Sequence, residues 1–410
     1  MAEPDAPPAR CDLAVVGAGI LGLAATRELQ RRHPALSVCV LEREDVVAPH
    51  QSSHNSGVLH AGIYYEPGSL KARLCREGIA AMYELCERRG IAHERCGKVI
   101  VATDPGELAR LDELERRGRE NGVPGLRRLD GDGIRELEPH AAGVAGLHSP
   151  ETGIADFAAV TRALADDVRE DGGTVALGSG VEGLDAGGSA IVLRHPGGAL
   201  EARNALFCAG AWSDRLAVMA GAPADPRIVP FRGAYLRLRP ERRELVRSLI
   251  YPVPDPALPF LGVHLTRHTS GEVLVGPTAL MAPARDAYAL RRARPRDLGQ
   301  TLAWPGTWRL VGRWWRTGAT ELRHAASRRA FVAAAQRFVP ELEAGDVEPA
   351  FAGIRAQALA RDGALVDDFA FSATDRALHV RNAPSPGATS SLAIARHVAD
   401  QADRAFDLRG

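Results

Sequence analysis

The chain is almost without lysine. Of its 51 positively charged residues only Lys71 and Lys98 are lysine, and the other 49 are arginine. A genomic bias toward arginine codons accounts for this, and against that bias a surviving lysine marks a position suited to a compact ammonium. Net charge is absent too, because 51 acidic residues balance the 51 basic ones. There is therefore no global electrostatic case for binding nucleic acid or an acidic polymer. The six cysteines form no C-x-x-C pair and have no histidines at zinc spacing. Reduced, mostly buried thiols in a cytoplasmic protein are expected, and no metal site. Long apolar runs are missing as well: the run from Leu13 is broken by glycines and too short to span a bilayer. The first ten residues are polar and proline-rich, without the cationic start of a signal peptide. A soluble or peripheral protein is expected, cytoplasmic or held on the inner face of the cytoplasmic membrane.

What is present is a nucleotide-binding signature. Asp12-Leu-Ala-Val-Val-Gly-Ala-Gly-Ile-Leu-Gly-Leu reads as a buried strand, a glycine turn and the start of a helix at Ile20 and Leu21. Gly17 permits the tight turn, Gly19 lets backbone approach a pyrophosphate, and Gly22 lets the helix pack close to the strand. The helix N-terminus offers N–H groups and positive dipole to the phosphates. A second strand, Val38-Cys-Val-Leu, ends at Glu42, twenty positions after Gly22, where an acid grips ribose hydroxyls, with Arg43 beside it.

With 410 residues, two to three domains are expected. A glycine- and histidine-rich loop follows the first unit, from Pro49 to Gly68. Helical patterns cover 70–90, ended by Gly90, and Glu107 to Asn121. Asp156 is expected to cap a helix running to about Asp171. Short strand-like runs lie at 98–103, 174–177, 181–184, 190–193 and 205–208, and alternating strands and Pro/Gly breaks from 228 to about 284 predict an antiparallel sheet. Residues 296–340 turn helical, and a last helix is expected from Ser390 to about 407. The fold class is α/β (α+β overall). A discontinuous Rossmann-like domain (1–84, 150–222 and 345–410) and a substrate domain with a mixed or antiparallel sheet (85–149 and 223–344) are expected.

Two later features point to flavin rather than nicotinamide. Phe207-Cys-Ala-Gly-Ala-Trp-Ser-Asp is an apolar strand entering a small-residue turn at Ala209 and Gly210, of the kind that lies against adenylate in two-domain flavoproteins. Asn382-Ala-Pro-Ser-Pro-Gly-Ala-Thr-Ser-Ser is a rigid turn opening a helix, and Pro386, Gly387, Ala388, Thr389, Ser390 and Ser391 present an anion site. Such a site suits the negative charge that reduced flavin carries at its pyrimidine end, although an ordinary helix cap would have the same sequence.

At this point the chain resembles a known family. Ser53-His-Asn-Ser-Gly-Val-Leu-His-Ala-Gly-Ile-Tyr-Tyr, Lys71-Ala-Arg-Leu-Cys, Pro230-Phe-Arg-Gly, Leu261-Gly-Val-His-Leu-Thr-Arg, Leu274-Val-Gly-Pro, Gly353-Ile-Arg-Ala-Gln and the Asn382 segment are similar, in order, to the L-2-hydroxyglutarate dehydrogenases/oxidases. These are FAD enzymes of the D-amino-acid-oxidase-like superfamily. The resemblance implies oxidation of a dicarboxylate 2-hydroxy acid, with electrons passed to a quinone or oxygen, and FAD contacts from Ser53, His54, Asn55, Ser56 and Gly57. The chain departs from the family at Ala234 and Leu236, where an acid and a tyrosine are expected, and at Thr278, where asparagine is expected.

The implied chemistry needs a base for the hydroxyl proton and cations for the carboxylates. His60, in the Gly57–Gly62 loop, is the first candidate base, and His264, on an apolar strand, is the rival or a core residue. Arg232, Arg267, Arg355 and Lys71 are candidate clamps; Tyr64 and Tyr65 either hydrogen-bond the substrate or wall the pocket. Related readings are oxidation of glycerol 3-phosphate or an amino acid, or flavin binding without turnover. Finally, 304–329 is rich in arginine and tryptophan: it either packs its tryptophans inward or lies in a membrane interface.

Overall fold

A computed structural model of the chain describes residues 5–256, 258–406 and 408. The strand Arg10–Val16 lies between Val38–Leu41 and Gly198–Phe207, parallel to both. A strand paired on two sides and covered on two faces needs apolar residues at every position, and Leu13 to Val16 supply them. Thr174–Ala176 extends this eight-stranded sheet on one side. Beyond Gly198–Phe207 lie Ile191–His195 and Gly183–Asp185, with Ala377–Asn382 and Ala370–Thr374 completing it. The helices Ile20–Arg32, Phe157–Glu170 and Ser391–Ala405 pack together over one face, sharing a core with helix Leu70–Arg89. Asp156 caps its helix as expected, accepting from the Ala159 N–H, and Gly90 ends Leu70–Arg89 in the left-handed conformation. Position 407 lies outside the described residues.

The second sheet has nine strands and is mostly antiparallel. Its order runs Leu280–Met281, Arg227–Leu238, Val273–Gly276, His264–Arg267, Leu249–Pro252, Lys98–Ala102, Ala145–Ser149, Arg127–Asp130. Val347–Leu359 pairs along the length of Arg227–Leu238. A boundary at 345 would place this strand with the nucleotide-binding part, but its hydrogen bonds place it in the second sheet. Its sequence, with Pro349, Gly353 and alternating small residues, has little strand propensity, and the long pairing with Arg227–Leu238 overrides that.

Alternation of side chains gives this sheet two different faces. Val99, Val101, Ile250, Leu265 and Val275 pack beneath the helix Arg328–Ala335, against Phe331 and Val332. Ile100, Ala102, Leu249 and Tyr251 point the other way and join the core of the first domain. Lys98 and His264 share that second face, because Lys98 pairs with Leu249 and Leu265 pairs with Ile250. The second sheet therefore meets the core of the first across a face that carries a lysine and a histidine among apolar residues.

The helices Pro295–Ala303 and Pro305–Ala326 form an outer layer, the latter kinked at Trp314. Trp304 is buried and donates its indole N–H to the Leu359 carbonyl at 3.0 Å. Trp308 and Trp315 are each 60% exposed. The tryptophan-rich segment thus packs Trp304 inward, as one of the two expectations had it, and leaves Trp308 and Trp315 open to solvent. Among the described residues no helix is long and apolar enough to cross a membrane.

Candidate active site

The glycine turn has the shape that a pyrophosphate requires. Gly17 sits at φ +109°, and a Cβ there would lie 2.5 Å from the Cys208 carbonyl oxygen. A Cβ at Gly22 would lie 2.0 Å from the Gly17 oxygen. Strand, turn and helix therefore approach one another at distances only glycine allows. Glu42 is buried; one carboxylate oxygen accepts from the Ala18 N–H at 2.8 Å and the other from Glu44 at 3.0 Å. Those bonds orient the carboxylate and leave lone pairs for ribose hydroxyls. The Ile20 N–H donates to Ser52 Oγ at 2.9 Å. Ser52 was not singled out from the sequence; its neighbour Ser53 was. Ser53 is exposed and donates to the Ala48 carbonyl at 2.6 Å, so it ties its own loop.

The rest of the 43–57 segment is largely engaged in ordering itself. The Arg43 guanidinium lies 3.7 Å above the Trp212 ring and donates to Glu44 at 2.8 Å. His54 donates from Nδ1 to the His50 carbonyl, and its ring lies 4.2 Å from that of Tyr288. Asn55 donates to the Gln51 and Ser52 carbonyls and accepts from the Gly57 N–H. Ser56 is half-buried beside it. Ala209 and Gly210, the latter at φ +49°, follow Cys208 and so lie beside Gly17.

The turn at 384–391 closes the site from the C-terminal end. Thr389 Oγ1 donates to the Val58 carbonyl at 3.1 Å and accepts from the His60 N–H at 3.2 Å, fixing the histidine loop to the turn. Gly78 holds the helix Leu70–Arg89 against the same turn, since a Cβ there would lie 2.6 Å from Ser390 Cα. The hydroxyls of Ser390 and Ser391 are buried without a hydrogen-bond partner among the described residues. Buried polar atoms are rarely left so unless a ligand completes them. The glycine cradle at one end and these orphaned hydroxyls at the other fit an extended dinucleotide such as FAD.

Between the two ends lies a cluster of basic side chains. His60 is half-buried, and its buried Nδ1 has no partner among the described residues; Nε2 lies 3.4 Å from Ser385 Oγ. Burial, with Lys98, His264 and Lys71 nearby, holds the imidazole well below its ordinary pKa, so it is neutral near pH 7. His264 donates from Nδ1 to the Gly262 carbonyl at 2.9 Å, which leaves Nε2 as an acceptor, and its ring lies 4.1 Å from that of Tyr251. Burial pushes His264 down to about 3, helped by Arg355 and Lys98. Arg355 lies over the Phe260 ring at 5.0 Å and has no carboxylate partner among the described residues. Tyr64 presents a buried hydroxyl without a partner. Lys71 lies 5.2 Å from the Tyr65 ring and donates to Asp367 through both carbonyl, at 2.7 Å, and carboxylate, at 2.9 Å. Lys98 and Tyr251 belong to this cluster and were missed; the scarcity of lysine was the signal that pointed to Lys98.

Two candidate clamps are drawn elsewhere. Arg267 is three residues from His264 and so projects from the opposite face of its strand. Its guanidinium is taken by Glu94 at 2.9 Å and the Arg247 carbonyl at 2.8 Å. Arg232 donates to the Tyr288 carbonyl at 3.3 Å, beside the His54 loop. Two of the departures from the family pattern are one local change: the Ala234 N–H donates to Thr278 Oγ1 and the Thr278 N–H to the Ala234 carbonyl, both at 3.0 Å.

Comparison with known proteins agrees with this geometry. Residues 12–401 match the family model of FAD dependent oxidoreductases. The chain is 46% identical to an L-2-hydroxyglutarate dehydrogenase of Nematostella vectensis, over 97% of this chain and 91% of that protein. It is 43% identical to the Homo sapiens protein of that name (97% and 89%) and 40% identical to that of Escherichia coli K12 (94% and 92%). In fold it is similar to the FAD-bound L-alpha-glycerophosphate oxidase of Mycoplasma pneumoniae, with TM-score 0.78 at 22% identity over 97% of this chain and 95% of that one. It is also similar to glycine oxidase of Geobacillus kaustophilus, with TM-score 0.72 at 21% identity over the same shares.

Proposed function

Because the chain belongs to the FAD-dependent oxidoreductases, and within them to the L-2-hydroxyglutarate dehydrogenases, we propose that it oxidises L-2-hydroxyglutarate to 2-oxoglutarate. The cofactor is FAD, held by the Gly17–Gly22 turn, Glu42 and the 386–391 turn. When bound, it accepts the hydride that leaves substrate C2. The observation that carries the reading is the cluster of two neutral histidines beside cations, one of them, Arg355, without a carboxylate partner among the described residues.

The chain's own residues supply the rest. His60 takes the hydroxyl proton as the C2 hydride leaves, and its depressed pKa keeps it in the base form at neutral pH. Thr389 and the Cys75 thiol, which donates to the His60 carbonyl at 3.1 Å, hold the loop backbone so that the ring has one place to be. Arg355 holds a substrate carboxylate, and Lys71 sits behind Tyr65 with its charge largely met by Asp367. Tyr64 offers its unpartnered hydroxyl to the substrate. His264, locked by Gly262, orients against the substrate from the second sheet.

The yellow holoprotein, mixed anaerobically with L-2-hydroxyglutarate, bleaches, and it does not bleach with the D enantiomer. Bleaching by glycerol 3-phosphate or sarcosine instead would move the activity to another substrate class. Inertness to all of these would favour flavin binding without turnover. His60→Ala slows bleaching by about 100-fold or more while keeping flavin bound; near-normal bleaching would transfer the base role to His264.

For the electron acceptor, the outer helices favour a quinone in a membrane over oxygen. Trp308, Val311, Trp315 and Leu322 are exposed on Pro305–Ala326 among Arg309, Arg313, Arg316 and Arg323, and Leu298 and Leu302 are exposed just before them. This is the composition of a surface that lies in an anionic lipid interface. The holoprotein co-sediments with anionic vesicles at low salt and the Trp308→Ser/Trp315→Ser variant does not. Absence of wild-type co-sedimentation removes this contact.

A further inference from the structure

Lys98 is 1% exposed, at the start of the strand Lys98–Ala102 on the face where the second sheet meets the core of the first. A buried ammonium is costly unless an anion meets it. Among the described residues no carboxylate lies within ion-pair distance of it. Its Nζ lies 4.2 Å from the Tyr251 ring centroid and 5.1 Å from that of Tyr64. Two aromatic faces stabilise a cation but do not neutralise it. Besides these two tyrosines, whose phenols burial pushes up, the titratable groups that reach it are His60, His264, Cys75 and Cys96. Both histidines are neutral, and burial pushes the thiols up to about 12 and about 11, so none of the four is an anion at pH 7. Lys71, by contrast, has Asp367. The site is left with two basic side chains that no carboxylate among the described residues pairs with, Lys98 and Arg355, and both are close enough to His264 to depress it.

We propose that Lys98 is a substrate-recognition residue, whose ammonium takes a carboxylate of the bound dicarboxylate as its counter-ion, Arg355 taking the other. This rests on the dicarboxylate reading of the site given above. Burial lowers Lys98 to about 7 in the free protein. An adjacent carboxylate favours the charged form and raises that value. Above the free lysine's midpoint, therefore, dicarboxylate binding draws a proton onto Nζ, and affinity falls as pH rises.

The test is calorimetric binding of glutarate, an unreactive dicarboxylate, to the oxidised holoprotein in two buffers of different ionisation enthalpy, with the flavin spectrum as a second readout. Wild type takes up a fraction of a proton per site, increasing with pH above the midpoint. Lys98→Met keeps FAD, loses the proton uptake and weakens glutarate by roughly 30-fold or more. Lys98→Arg, always charged, binds without uptake and without the alkaline loss of affinity. Wild-type binding with no proton uptake, or unchanged affinity in Lys98→Met, overturns the proposal. If glutarate behaves as stated but L-2-hydroxyglutarate is not oxidised, the activity reading fails and the Lys98 site stands. If L-2-hydroxyglutarate is oxidised while glutarate binding is indifferent to Lys98, the reverse holds.

Discussion

Replacing Gly78 by alanine pits two opposing effects against each other. Gly78 lies inside the helix Leu70–Arg89, where exchanging glycine for alanine ordinarily adds about 1 kcal/mol of stability. Here the new methyl would sit 2.6 Å from Ser390 Cα and 2.7 Å from the Thr389 oxygen. Both are backbone atoms, so no rotamer change relieves the clash, and the overpacking costs about 1–3 kcal/mol. The steric term wins, for a net loss of up to about 2 kcal/mol. The helix can relieve it only by pushing back the turn that carries Thr389 and Ser390, so FAD affinity falls several-fold as well. Gly299, in the helix Pro295–Ala303, has nothing within 4 Å of its would-be Cβ, and Gly299→Ala is the matched control. Denaturant unfolding of both holoproteins, with FAD dissociation followed by fluorescence, gives opposite signs for the two substitutions. If Gly78→Ala stabilised as Gly299→Ala does, with FAD affinity intact, the close packing of helix and turn would be refuted.

Other substitutions probe other parts of the site. Glu42→Ala leaves the Ala18 and Glu44 N–H groups without their acceptor, at about 1–3 kcal/mol each if water does not reach them; FAD affinity measured by equilibrium dialysis should fall tenfold or more. For His60, a depressed pKa places the acid limb of kcat/KM well below the ordinary 6.5. The rate therefore does not fall between pH 7 and 6, and an acid limb centred at 6.5 would show that the base is not a histidine held in this site. His379 is fully buried, stacked on Phe207 at 4.7 Å, and lowered to about 4. The unfolded chain then binds the extra proton below about pH 6.5, so stability is lost as pH falls toward 4, by up to about 3 kcal/mol. His379→Phe should flatten that slope in thermal melts, and an unchanged slope would assign acid sensitivity elsewhere. Arg285→Ala leaves the buried Asp214 carboxylate without its main cation, Arg227 lying 3.8 Å away, and should cost about 3–5 kcal/mol in unfolding experiments.

The nucleotide-binding end was legible because its physics is local. Gly17, Gly22 and Glu42 act through backbone geometry within one strand–turn–helix–strand unit, and sequence spacing encodes that directly. The caps at Asp156 and Gly90 were legible for the same reason. Ser52 was not, because two adjacent serines in a loop differ only in which way each points. Val347–Leu359 was hidden because its strand state comes from pairing with a segment more than a hundred residues away. The basic cluster was half visible. His60 and His264 stood out in their motifs, but only the sheet register puts His264 on the face of Lys98 and turns Arg267 to the other. Lys98 was marked only by the scarcity of lysine, and its buried state depends on the strands paired on either side of it and on Tyr64 and Tyr251, which the sequence does not bring together.

The most direct test of the central claim is an anaerobic single turnover with L-2-hydroxyglutarate deuterated at C2. The account predicts loss of the oxidised flavin spectrum, one 2-oxoglutarate formed per flavin reduced, and a reduction rate slowed several-fold by the deuterium. An unchanged spectrum, or reduction that proceeds equally well with the D enantiomer, would contradict it.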